Sequence, residues 1–209
     1  MFLTKGTIKG LVDTEGLIRQ WEEEGLQQWS YDLRLGGEVF LSSEKDLTAL
    51  GEGGSISIQP GEFALLVTKE ELKMPTRIAG FISLKFTYAL KGLVNISGFH
   101  VDPGFEGKIV FSVYNAGPNP VVMRQGDPVF MIIFATLDGD AGERPKWATF
   151  RQTKRLKSDW ISSVKGPAVS LTRLNTEVER LRNLVNLLVA FTVALLGTII
   201  GALVLGVRP

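Results

Sequence analysis

The pattern of apolar and polar positions divides the chain into four stretches, 1–138, 139–167, 168–183 and 184–207. The first begins with helical spacing. Thr4 is placed to cap a helix over Ile8 and Leu11, and a second helix is expected over residues 14–24. From Tyr31 to Leu137 the period changes. Short apolar runs such as VFLSS, GFISLKF and KIVFSVYNAG are separated by Gly and Pro about every ten residues, the pattern of an all-β sandwich or barrel. Residues 108–114 alternate cleanly. Ile109, Phe111 and Val113 are expected on one face, with Val110, Ser112 and Tyr114 on the other.

The second stretch is polar and basic, with Arg144, Lys146, Arg151, Lys154, Arg155, Lys157 and Lys165 against Asp140, Glu143 and Asp159. It reads as a solvated connector or as a surface for anionic headgroups. In the third stretch Leu171, Leu174, Val178, Leu181, Val185 and Leu188 are spaced 3, 4, 3, 4, 3. That is the a/d seam of a coiled-coil stalk, or the buried face of one amphipathic helix. The fourth carries no charge between Arg182 and Arg208, a run of 25 residues. As a helix it would be roughly 37 Å long, enough to cross a hydrocarbon core of about 30 Å. Gly197 and Gly201, with Ala190 and Ala194, form a small-residue face suited to helix packing in a bilayer.

Flanking charge sets the expected orientation. Lys165, Arg173, Arg180 and Arg182 precede the span and only Arg208 follows it, which places the preceding domain in the cytoplasm. Only two residues follow Val207, so the span reads as a tail anchor. Formal net charge is +1, which gives no field for nucleic acid. There are no cysteines, so disulfides, thiolate metal sites and a cysteine nucleophile are excluded. His100 is the single histidine, and one histidine without cysteine partners is a poor metal site, so none is expected.

Several motifs occur in a telling order. They are S-Y-D-L-R-L-G at residues 30–36, I-Q-P-G-E-F at 58–63, V-D-P-G-F-E-G-K-I at 101–109, Y-N at 114–115 and R-Q-G-D-P-V-F at 124–130. In order and spacing they resemble the dCTP deaminase branch of the dUTPase superfamily. The likeness covers about residues 1–137, with an echo in K-G-P-A-V-S-L at 165–171. The resemblance implies a mainly β fold, a distorted barrel or jelly roll, assembled as a homotrimer with nucleotide sites between subunits.

The family's chemical groups are not all present. Its catalytic glutamate precedes the Y-N pair by two residues, and that position is Ser112. A serine cannot shuttle the proton that activates water and releases ammonia, because its pKa is far from neutral. Glu106 is expected in the preceding turn, off the strand. The family's phosphate-gripping stretch R-S-S-L-A-R-x-G-L reads K-F-T-Y-A-L-K-G-L at residues 85–93. Lys85 replaces the first arginine, Phe86 a serine and Leu90 the second arginine, so bidentate guanidinium contacts are lost. Lys91 lies one position beyond that second arginine, and the spacing from Lys85 to Asp102 is one residue short.

Asp102 occupies the position of a family aspartate, and the D-P-G turn also has a use for it. A dUTPase-like activity would need Mg²⁺ on the triphosphate and a closing C-terminal lid. Here 165–171 runs into the seam instead.

The first expectation is therefore a catalytically degenerate, membrane-anchored trimer serving as a scaffold or higher-order assembly unit. The second is a tethered deoxynucleotide sensor using Lys85, Thr87, Lys91 and Asp102. The third is an active deaminase or dUTP hydrolase built on other residues.

Overall fold

The computed structural model describes residues 1–142, 155–164 and 171–206. Two compact units are present, Met1–Ala168 and Val169–Pro209. The first opens with α1 (Lys5–Glu15), which buries Ile8 and Val12 against the core. Thr4 is its N-cap residue in extended conformation.

The second helix expected over 14–24 is not there. Gly16 at φ 67° closes α1, its N–H bonding back to Val12, and the chain continues as β1 (Ile18–Arg19) and a short 3-10 turn, Glu23–Gly25. A left-handed glycine after the last turn is the commonest way a helix ends. The apolar residues beyond it fall on a strand, where β1 pairs with Glu71 and Leu72.

Residues 31–137 form the expected β structure: β2 (Tyr31–Leu41), β3 (Thr48–Ala49), β4 (Ser55–Ile58), β5 (Phe63–Lys73), β6 (Ile78–Leu84), β7 (Leu93–Asn95), β8 (His100–Val101), β9 (Glu106–Asn115), β10 (Val121–Arg124) and β11 (Pro128–Thr136). A short α2 (Phe86–Ala89) lies between β6 and β7. Nine strands make one curled sheet, a half-barrel, with main order β7-β9-β5-β2-β11-β6-β8. β1 and β3 attach beside β5 and β2, and β4 pairs with β10 apart from the rest.

The core lies in the concavity. In β9 Ile109, Phe111 and Val113 are buried and Val110, Ser112 and Tyr114 are half-buried on the outer face, as the alternation requires. The rings of Phe111 and Phe130 stack at 3.4 Å between centroids. Each such side chain contributes about 1.5–3 kcal/mol by leaving water.

Two register shifts interrupt the ladders, in the β2/β5 pairing and in the β5/β9 pairing. At the bulge the Thr68 hydroxyl donates to the Glu70 carbonyl at 2.7 Å and accepts from the Ile109 N–H at 3.0 Å, replacing ladder bonds. Glu70 turns fully inward as a result. It accepts from the Arg34 N–H at 2.9 Å, Arg34 Nε at 2.6 Å and the Tyr31 hydroxyl at 3.3 Å. Arg34 also donates to the Gln20 carbonyl at 2.7 Å and pairs with Glu22. Burial, then the Glu70 carboxylate, pushes the Tyr31 phenol above its ordinary range.

Beyond the sheet, α3 (Ser158–Val164) belongs to the first unit. The second unit contains α4 (Leu171–Gly206), one continuous 36-residue helix in which seam and apolar run follow each other without a break. Of the basic connector only Arg155 and Lys157 are described. Arg144, Lys146, Arg151, Lys154 and Lys165 lie outside the described residues, as do 165–170 of the K-G-P-A-V-S-L echo.

Candidate functional site

The sheet carries the candidate residues on separate elements. Ser112 projects from the outer face of β9. Its cross-strand neighbour on β5 is Leu65, and its carbonyl accepts the N–H groups of Ile96 at 2.9 Å and Ser97 at 3.2 Å. Along β9 its same-face neighbours are Val110 and Tyr114, and Tyr114 pairs with Val94 and Phe63. The phenol ring of Tyr114 lies 4.7 Å from that of Phe63. The position that would hold a proton-shuttling carboxylate is thus a hydroxyl among Leu65, Val110, Tyr114, Val94 and Ile96.

Glu106 cannot substitute. The expectation that it lies in the turn is corrected: it is the first residue of β9. Six residues before Ser112, it is about 20 Å away along the strand. Its carboxylate accepts from Arg19 at 2.9 Å.

The cationic candidates are distributed as follows. Lys85 follows β6 and is ion-paired with Asp32 of β2, an aspartate that is itself nearly buried. The charge on Lys85 is therefore already countered within the chain. Thr87 is exposed on α2, next to Phe86, which is 73% exposed. Lys91 sits 5.2 Å above the Tyr88 ring. The Tyr88 hydroxyl donates to Asp127 at 3.3 Å, and burial together with that carboxylate pushes its pKa up to about 12. Leu90, in place of the second arginine, is 70% exposed.

Asp102 lies at the D-P-G turn. Its carbonyl accepts the Phe105 N–H at 3.1 Å, and Gly104 takes φ 72°, so the turn chemistry is realised. Its carboxylate stands 3.3 Å from Nε2 of His100, both side chains being partly exposed. His100 on β8 and Ser112 on β9 stand near opposite ends of the strand order, joined in sequence by this turn. Among the described residues no group of three His, Cys, Asp or Glu is placed to hold a metal ion.

Asn115, the second residue of the Y-N pair, is fully buried. Its amide donates to the carbonyls of Ile58 and Asn119, both at 2.9 Å, and its oxygen accepts from the Gly117 N–H at 2.9 Å. The motif residues at 30–36, 101–109 and 114–115 thus build strands and turns that hold the sheet. A family model for dCTP deaminase-like proteins matches residues 2–137, the whole of this sheet. The chain belongs to the dCTP deaminase-like family.

It is 34% identical over 142 residues to the dCTP deaminase of Pyrococcus furiosus, covering 68% of this chain and 88% of that protein. The dCTP deaminase of Pyrobaculum aerophilum is likewise 34% identical, over 155 residues, with the same coverage. Among solved structures, the 2'-deoxycytidine 5'-triphosphate deaminase of Agrobacterium tumefaciens superposes with a TM-score of 0.55 at 16% identity. That superposition covers 64% of this chain and 48% of the other, and it speaks to the fold alone. The dCTP deaminase-like match ends at residue 137, so α3 and α4 lie beyond it.

One feature near Ser112 had no signal in the sequence. The outer face of the sheet at Phe40, Leu65 and Val67 is covered by Leu156, Trp160 and Ile161, with Val110 alongside. Glu38 anchors this segment, accepting the Leu156 N–H at 3.0 Å, with Arg155 Nε at 3.4 Å. Residues 155–164 read as connector by composition.

The α4 seam presents Leu174, Val178, Leu181, Val185 and Leu188 to the surroundings, each about half exposed or more. The side chain of Leu171 is outside the described residues. Gly197 and Gly201 lie on the same helix with open space at their α-carbons. Leu174–Leu203 is long and apolar enough to cross a membrane.

Proposed function

We propose that this protein is a non-catalytic member of the dCTP deaminase-like family, held on a membrane by α4 and working as a homotrimeric scaffold or assembly unit. The observation that carries the reading is Ser112 in its apolar surroundings, where the resemblance calls for a carboxylate. Proton shuttling needs a group that titrates near the working pH, and neither Ser112 nor its neighbours on that face offers one. The pairing of Lys85 with Asp32 and the replacement of an arginine by Leu90 support it further, since a triphosphate needs uncommitted cations.

The membrane part rests on the uncharged length of α4, and the trimer on the family resemblance together with the exposed seam. The positive-inside bias supports a cytoplasmic side for the β unit.

Incubating the full-length protein in nanodiscs with dCTP or dUTP and Mg²⁺ is expected to release neither ammonia nor pyrophosphate. Turnover of either nucleotide would overturn the non-catalytic reading. A second reading, a deoxynucleotide sensor, is favoured by the exposure of Thr87 and Lys91 and by the partly open Asp102 carboxylate. It predicts thermal stabilisation without product. A ligand at 100 times its Kd adds about 2.7 kcal/mol. The scaffold reading expects no shift with any nucleotide.

A further inference from the structure

The α4 helix carries two charges placed beside its apolar seam. Leu174, Val178, Leu181, Val185 and Leu188 lie on one continuous helix at alternating spacings of 4 and 3, so they share a face. Each is about half exposed or more. A seam of this period is closed by another helix with the same period. With Val178 and Val185 at the a positions and Leu174, Leu181 and Leu188 at d, Glu177 falls at g and Arg182 at e of the next heptad. Both side chains are exposed. Glu179, the other carboxylate of this stretch, lies at b and accepts from Asn175 Nδ2 at 3.4 Å within its own helix.

Charge placement selects the geometry. In a parallel, in-register pair, a g residue faces the e residue five positions further along the neighbouring helix. Glu177 and Arg182 have that separation and opposite charge. In an antiparallel pair g flanks g and e flanks e, which keeps Glu177 away from Arg182. The next g and e positions are Leu184 and Val189, both about half exposed. The flank therefore changes from a charge pair to an apolar pair where the uncharged run begins. The same parallel register covers both.

We infer that the seam of α4 is closed by a second copy of α4, parallel and in register, with Glu177 of one chain paired to Arg182 of the partner subunit. Its place in an assembly unit rests on the scaffold reading; orientation and register rest on the charge pattern. A copy number of three rests on the homotrimer reading, since valine at a with leucine at d by itself favours two strands.

The test uses the full-length chain, whose lack of cysteine lets single thiols report on the seam. Leu174→Cys, Leu181→Cys and Leu188→Cys are each expressed in membranes under one of two tags and oxidised. Same-position disulfides are expected for all three. Leu174→Cys co-expressed with Leu188→Cys is expected to give no mixed disulfide, because the parallel register holds these positions about 21 Å apart. In the Leu181→Cys background, Glu177→Arg or Arg182→Glu alone is expected to weaken association in detergent about tenfold, since repulsion replaces attraction at each contact. Co-expressing the two reversed chains is expected to restore the yield as mixed-tag product. A chain carrying both reversals is expected to assemble like the parent, which separates lost pairing from lost folding.

A mixed Leu174→Cys and Leu188→Cys product exceeding the same-position products would overturn the parallel register. Single reversals without effect, or reversals that neither the mixture nor the double variant rescues, would overturn the ion pair. Absence of disulfide at all three positions would overturn self-association through the seam, whatever the β unit does. Same-position disulfides in a particle with the mass of two chains would support the pairing and overturn the homotrimer reading instead.

Discussion

Asn115 and Ser112 stand three residues apart on β9 and illustrate two different fates of motif positions. Asn115 spends both amide donors and its oxygen on the backbone of Ile58, Asn119 and Gly117, so removing it leaves the carbonyl of the buried Ile58 without this donor. Asn115→Ala is expected to cost about 2–3 kcal/mol in urea denaturation, the penalty of unsatisfied buried groups. Ser112 holds nothing comparable through its side chain. Ser112→Glu is expected to restore no deaminase activity and to destabilise by about 1 kcal/mol, because a carboxylate there enters apolar surroundings. Ammonia release and a melt of the same preparation read both outcomes.

Tyr88 supplies a pH dependence. Its pKa rises from 10.0 to about 12 in the folded chain, so between those values the folded state holds a proton that the unfolded state has lost. Stability from this group is complete below pH 10 and falls as pH rises toward 12. Tyr31 acts in the same direction. Melting measured from pH 9 to pH 12 should fall less steeply in Tyr88→Phe than in the parent.

Among elements, β5 shows how a break in regularity creates a specific interior. Its bulge turns Glu70 inward onto Arg34, which in turn holds the Gln20 carbonyl, the one non-glycine residue at positive φ among the described residues. Breaking one side of a buried, hydrogen-bonded ion pair costs more than replacing both. Arg34→Ala is therefore expected to lose about 3–5 kcal/mol by chemical denaturation, and Arg34→Met combined with Glu70→Leu to lose markedly less. The double-mutant cycle gives the coupling directly. Simple alternation describes β9 well and β5 poorly because Leu65 and Val67, on the outer face of β5, are covered by Leu156, Trp160 and Ile161.

At the level of the whole molecule, α4 leaves a row of aliphatic residues about half exposed or more, from Leu174 to Leu203. Apolar area on that scale is covered by lipid, by another helix or by both. Leu181→Cys in membranes of cells making the full-length protein should give a dimer on oxidation, since two thiols pair at a time. A bifunctional thiol reagent of three arms should then capture a trimer and nothing larger through this site. A purely monomeric product with both reagents would count against assembly through the seam.

Strands, turns and the long C-terminal helix were legible in the sequence because each is set by local composition. Alternation placed Ile109, Phe111 and Val113 inside. The D-P-G turn needed a glycine at positive φ and has one. The run of 25 residues without charge, long and aliphatic, lies in α4 to Gly206. The same reading passed over Gly16 as a helix stop and carried helix into residues that pair as β1. Other features were out of reach because they join residues far apart. Lys85 reads as a free cation until the sheet brings it to Asp32, 53 positions away. Glu70 reads as surface charge until the bulge turns it to Arg34, 36 positions away. Residues 155–164 read as connector until Glu38, 118 positions from Leu156, receives them on the outer face of the folded sheet. Periodicity reports which side of an element is apolar, and it took the folded sheet to decide what covers that side.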